Sequence, residues 1–206
     1  DNVTVSNGFV IDGSPAIDID GENSDVVIEH NELLEIQGSL VTGIQVDQAD
    51  GLSITENIIQ EFNRGITLNR ATNATIADNV VEDASTGVQF SGDIDDATVT
   101  NNTVTGSERD GMIVDGSLTG NVTVTDNVVT NTGLTDSVSS EPVGLSLSID
   151  GETVTVANNF IADNEGDIGA LLDVEAESVT VSDNIVADND VDRSEERRVG
   201  KECSLL

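Results

Sequence analysis

Asp18, Asp20 and Asp47 occupy two adjacent outward rows in successive copies of a repeated phrase, Asp20 and Asp47 in equivalent positions, within one strand spacing of each other. Hard carboxylate oxygens gathered that closely are the ligands a Ca²⁺ ion takes, so these three form the candidate metal site, with Ca²⁺ as the candidate cofactor. In a chain with 40 acidic residues such neighbours also arise by chance and solvate the surface. The same abundance blunts a second reading, in which two carboxylates about 5–9.5 Å apart hydrolyse a glycosidic bond. Cations are scarce. Arg64 and Arg70 flank Gly65–Leu68, and Arg109 sits in the turn before Gly111. The plain role of such arginines is to pair with carboxylates across neighbouring repeats. His30 falls in a polar turn slot filled elsewhere by Asn7, Glu56, Asp78, Asn101, Asp126, Asn158 and Asp183, and reads as a surface residue.

A repeat must position all of these. The phrase V-T-V-S-D-N-I-V at Val179–Val186 has seven counterparts, beginning at Val3, Val26, Leu52, Ala74, Ala97, Val122 and Val154. Its sixth position reads Gly8, Asn31, Asn57, Asn79, Asn102, Asn127, Asn159, Asn184, in steps of 22 to 32 residues. A step in the twenties marks a stacked solenoid in which each repeat packs on its neighbours. Positions 1, 3 and 8 are apolar and position 2 is Thr, Ser or Val, the alternation of a half-buried strand. Asn and Gly are the residues most at home at positive φ, so the sixth position is expected to form a left-handed bend between two short strands. Gly should then be tolerated there better than Val. Stacked asparagines could also exchange hydrogen bonds along the column.

A second phrase precedes the first: G-I-Q-V at Gly43, G-I-T-L at Gly65, G-V-Q-F at Gly87, G-M-I-V at Gly111, G-L-S-L at Gly144 and G-A-L-L at Gly169, with A-I-D-I at Ala16 in the first coil. Each coil therefore holds three short strands, and about eight coils make an all-β rod. Three inward ladders are expected: Val5 to Val181, Val10 to Val186, and Ile17, Ile44, Ile66, Val88, Met112, Leu145, Ala170. The rival solenoid, a leucine-rich repeat, would need a helical return path, and no 3.6-residue pattern supplies one.

Residues 193–206 break the repeat and the charge balance together. Arg193–Cys203 resembles an in-frame translation of a sequencing adapter, so 193–206 is expected to lie outside the fold and 1–192 to form one domain cut at both ends. Removing the tail takes four of seven basic and three of 40 acidic residues, moving the net charge from −33 to −34. The sole cysteine, Cys203, goes with it, which leaves no disulfide or thiol chemistry. Near-absence of Lys among abundant Asp, Thr and Val resembles the proteins of salt-adapted archaea, whose charged surfaces need molar salt for screening. Nucleic acid is excluded as a partner by the sign of the charge. The sequence carries no transmembrane run. Thr132–Val143 reads as a protruding loop and Glu35–Thr42 as a smaller one. Sequons at Asn2, Asn73, Asn101 and Asn121 would suit a secreted protein.

The two strand phrases, the Asn turn and the coil length resemble the right-handed parallel β-helix, in particular the repeat proteins related to pectate lyases and to nitrous-oxide-reductase maturation β-helix proteins. The resemblance covers Val3 to about Asp190. It implies that any chemistry lies on the Gly-strand sheet, whose outward rows run Asp18, Gln45, Thr67, Gln89, Ile113, Ser146, Leu171 and Asp20, Asp47, Asn69, Ser91, Asp115, Ser148, Asp173. A lyase of this kind implies a basic residue near Ca²⁺, and Arg64 and Arg70 are the catalytic candidates. No catalytic signature is matched residue for residue. The expected role is that of a secreted or cell-surface stalk or binding surface, possible partners being polysaccharides or surface glycans. The alternative is a polysaccharide lyase or glycoside hydrolase.

Overall fold

A computed structural model describes residues 2–38, 40–115, 118–133, 142–165, 168–189 and 198–199. Strands and corners alternate throughout, and every strand pairing is parallel. Three ladders wrap one tube. Gly strands such as Thr42–Val46, Arg64–Leu68 and Thr86–Phe90 form the first. Strands such as Ala49–Thr55, Ala71–Ala77 and Ile94–Thr100 form the second. Three-residue strands such as Ile58–Gln60 and Val80–Glu82 form the third, an eight-stranded sheet of its own. In the last two coils the first and second strands run together as Val143–Ala157 and Ile168–Ser182, joining their ladders into one 14-stranded sheet. Seven Gly strands against eight of each other kind make about seven full turns, close to the eight coils expected.

Strand alternation sets the core. Ile28, Ile54, Ile76, Val99, Val124 and Val156 are buried in the second ladder, as are Leu33, Ile59, Val81, Val104, Val129 and Ile161 in the third. Each such side chain contributes roughly 1.5–3 kcal/mol of burial. Toward the two ends the ladders open: Val5, Val10, Ala170 and Val181 are partly exposed, and Val186 is 52 % exposed. Aromatics are few inside, with only Phe62 and Phe90 fully buried. Gly87 faces inward at a close approach, where an added Cβ would come 2.3 Å from Val104 Cγ1 and 2.5 Å from the Gly111 carbonyl oxygen.

The corner after the second strand corrects one expectation. Positive φ falls on the fifth position of the phrase, not the sixth: Asn7 (55°), His30 (54°), Glu56 (55°), Asp78 (57°), Asn101 (54°), Asp126 (58°), Asn158 (56°) and Asp183 (55°). His30 thus holds a left-handed turn, with Nε2 2.6 Å from Glu56 Oε2. The left-handed residue turns its side chain out, and the next residue turns in. The asparagines at that next position are therefore buried, and their amides serve the ladder (Asn57 0 %, Asn102 1 % exposed). Gly8 holds the same position without a side chain, and its N–H donates to Asn31 Oδ1 at 2.9 Å.

A second corner, before the Gly strand, repeats the device without having been anticipated. Glu61, Asp83, Asn131, Asp163 and Asp188 carry positive φ there, and Thr132, Asn164 and Asn189 point inward after it. Thr132 N–H and Oγ1 both donate to Asn164 Oδ1, at 3.0 and 2.8 Å. Asn164 Nδ2 donates to Asn189 Oδ1 at 2.7 Å. Of the tail 193–206, Arg198–Val199 forms a two-residue strand beside Asp173–Val174. The rest of the tail, Cys203 included, lies outside the described residues, as do 134–141 of the loop expected at Thr132–Val143.

Candidate functional site

On the outer face of the Gly sheet, strand register sets Asp18 beside Gln45, and the Asp47 N–H donates to the Ile19 carbonyl at 2.9 Å. Asp47 does not present bare oxygens. Gln45 Nε2 donates to both of them at 3.3 Å, and Asn69 Nδ2 donates to Oδ1. Ser91 Oγ in turn donates to Asn69 Oδ1 at 2.9 Å, so a polar row crosses the sheet. Amide N–H groups aimed at a carboxylate use the lone pairs that a cation would need. Asp18 and Asp20 are exposed. Among the described residues no group of three or more His, Cys, Asp or Glu side chains is placed to hold a metal ion.

The two candidate arginines stand apart. Arg64 opens its strand, exposed, and its Nε donates to Gln89 Oε1 at 3.1 Å. Arg70 lies past the other end of the same strand, roughly 20 Å away along extended chain. It lines a groove of about 420 Å³ at the corner between Gly strand and second strand, with Glu22, Asn23, Gln48, Asp50 and Asp93. Ala49 and Ala71, each 3 % exposed, form the floor. Thr72 Oγ1 donates to Asp50 Oδ1 and holds that carboxylate in place. Arg70 forms no ion pair with a described residue, contrary to the plain role expected of it. Glu22, Gln48 and Asp93 went unremarked in the sequence because they sit on corners, where no alternation marks them, and Asp50 because it lies at the start of its strand, before the repeated phrase.

Asp110 is a further residue that sequence reasoning passed over. It fills the slot before Gly111, 9 % exposed, and accepts the Val143 N–H at 3.1 Å. Burial pushes its carboxyl above the ordinary carboxylate range, while the Val143 hydrogen bond and the Arg109 charge pull partly the other way.

Parallel strands, three per coil, around an aliphatic core with internal amide ladders define a β-helix repeat protein. A family model described as the right handed beta helix region matches residues 42–194, and the chain belongs to that family. No curated protein and no solved structure gives a match. Among the described residues no helix is long and apolar enough to cross a membrane.

Proposed function

We propose that the chain is a secreted or cell-surface repeat scaffold that binds neutral, hydroxyl-rich glycan at the Arg70 groove without turning it over. The observation that carries this reading is a guanidinium with no ion-pair partner among the described residues, set among carboxylates and amides above an alanine floor. Vicinal hydroxyls can accept from the planar guanidinium fork and donate to the Asp50 and Asp93 carboxylates, a donor–acceptor alternation that a polyhydroxylated ligand returns. The net charge of −33 repels polyanions and so favours a neutral chain. All four sequon asparagines, Asn2, Asn73, Asn101 and Asn121, are exposed, which supports placement outside the cell.

Calorimetric titration with neutral oligosaccharides tests the reading. Binding should be lost in Arg70→Ala and weakened in Asp50→Ala. The lyase alternative draws on the same arginine. An ultraviolet-absorbing unsaturated product from polyuronate, lost in Arg70→Ala, would replace the scaffold reading with catalysis.

A further inference from the structure

The outer face of the second ladder is a regular array of hydroxyls. Its two outward columns read Ser53, Thr75, Thr98, Thr123, Thr155, Thr180 and, two residues on, Thr55, Ala77, Thr100, Thr125, Ala157, Ser182. Register is unbroken along both: Ser53 pairs Thr75, Thr75 pairs Thr98, Thr98 pairs Thr123, Thr123 pairs Thr155, and Thr155 pairs Thr180. Six consecutive ranks therefore carry hydroxyls or methyls and no charge, on a chain whose net charge is −33. Acidic residues border the array instead, at the turn positions Glu56, Asp78, Asp126 and Asp183.

Strand geometry fixes the net. Ranks repeat at about 4.8 Å along the stack, and columns two residues apart lie about 6.6 Å from each other. The β-branched threonines have few χ1 choices, so the groups are held before any ligand arrives. Apart from Ala77, buried, and Thr180, exposed, the side chains are half-buried against their neighbours, and Thr100 Oγ1 lies 3.1 Å from Thr125 Oγ1. A nearly rectangular net of hydroxyls and methyls at these spacings lies close to the oxygen repeats on the prism faces of hexagonal ice.

We propose that this Thr-rich face of the second ladder is an ice-binding surface. Its hydroxyls would hydrogen-bond lattice waters while the methyls seat between them, so that water ordered over the face continues the crystal. Neutrality matters, because an ionic side chain would organise water around itself and break the lattice. Many weak, aligned contacts add to adsorption far tighter than any one of them. A crystalline sugar surface is the other neutral partner, and this face offers it no aromatic ring to bury against it. The surface is separate from the Arg70 groove and does not depend on it.

The full chain is tested by nanolitre osmometry against the same buffer without protein, with folding followed by circular dichroism. Faceted crystals and thermal hysteresis are expected. Thr98→Lys with Thr123→Lys should cut the hysteresis about tenfold by breaking the aligned contacts. Thr98→Ala with Thr123→Ala, residues this face already carries at Ala77 and Ala157, should lower it while the fold is kept. Thr103→Lys with Thr105→Lys, on the outer face of the third ladder, should leave it unchanged. Three outcomes would overturn the proposal: no hysteresis or faceting from the folded parent, equal loss in the third-ladder control, or binding to crystalline cellulose without any effect on ice.

Discussion

Asn79 and Asn102 are joined twice through a single oxygen: the Asn79 backbone N–H donates to Asn102 Oδ1 at 3.1 Å and Asn79 Nδ2 donates to it at 3.0 Å. Asn102 repeats the gesture toward Asn127, and its Nδ2 also reaches the Ile76 and Thr100 carbonyls at 2.9 and 3.1 Å. Each buried amide thus closes a corner that the sheets alone would leave with unpaired backbone groups.

Removing that amide should be costly whatever replaces it. Asn102→Gly and Asn102→Val are both expected to lose roughly 3–5 kcal/mol, since several buried groups lose partners at once. Thermal melting would show this. A mild Asn102→Gly, as a left-handed position would allow, would return the bend to the sixth residue.

Asp126 tests the position that does carry positive φ. Asp126→Val forces a β-branched residue to φ 58° and should cost about 1–2 kcal/mol. Asp126→Gly should fall within about 1 kcal/mol of the parent, relief of the turn being offset by added freedom in the unfolded chain. Melting curves for the pair read out the difference.

Gly87 has no room for a side chain, because its neighbours at 2.3 and 2.5 Å include backbone of the next coil. Gly87→Ala is expected to destabilise by roughly 2–3 kcal/mol, the cost of overpacking a core that cannot yield. Chemical denaturation at fixed salt would measure it, and a neutral outcome would mean the coils can separate locally.

Asp110 gives a pH test with a definite sign. Its carboxyl is raised in the fold above the ordinary 3.8, so the folded chain holds this proton more tightly than the unfolded one. Its contribution is most favourable below the unfolded value and is lost as pH rises through the folded value. Asp110→Asn keeps an acceptor for the Val143 N–H and removes the buried charge. It should melt higher than the parent at neutral pH, with the gap closing as pH falls below about 4, where Asp110 is neutral in both states. A gap independent of pH would count against the burial effect.

Salt should govern the whole body. With a net charge of −33, like charges on successive coils lie about one strand spacing apart, and the Debye length falls from about 10 Å at 0.1 M to about 3 Å at 1 M. The melting temperature is expected to climb steeply with KCl. A flat dependence followed by circular dichroism would remove the salt-adapted reading.

The amino-acid sequence by itself determined the solenoid. Coil step, apolar alternation and the recurring Asn are local signals, and a solenoid is built from local units stacked on identical ones, so the inward ladders from Ile28 to Val156 and from Leu33 to Ile161 could be named in advance. The turn was located to within one residue but assigned to the wrong one, because Asp, Asn and Gly all tolerate left-handed backbone and two of them stand side by side in most copies. Only the tertiary structure shows which of the two points into the tube, where an unpartnered amide would be penalised and a stacked one is satisfied from the coils on either side. The same limit governed the surface. Asp18, Asp20 and Asp47 share an outward face by alternation alone, yet whether Asp47 meets a cation or an amide depends on Gln45 beside it and on Asn69 one coil away. Arg64 and Arg70 look adjacent in sequence, but an extended strand places them at its opposite ends, and a corner lined from four successive coils gives Arg70 its groove.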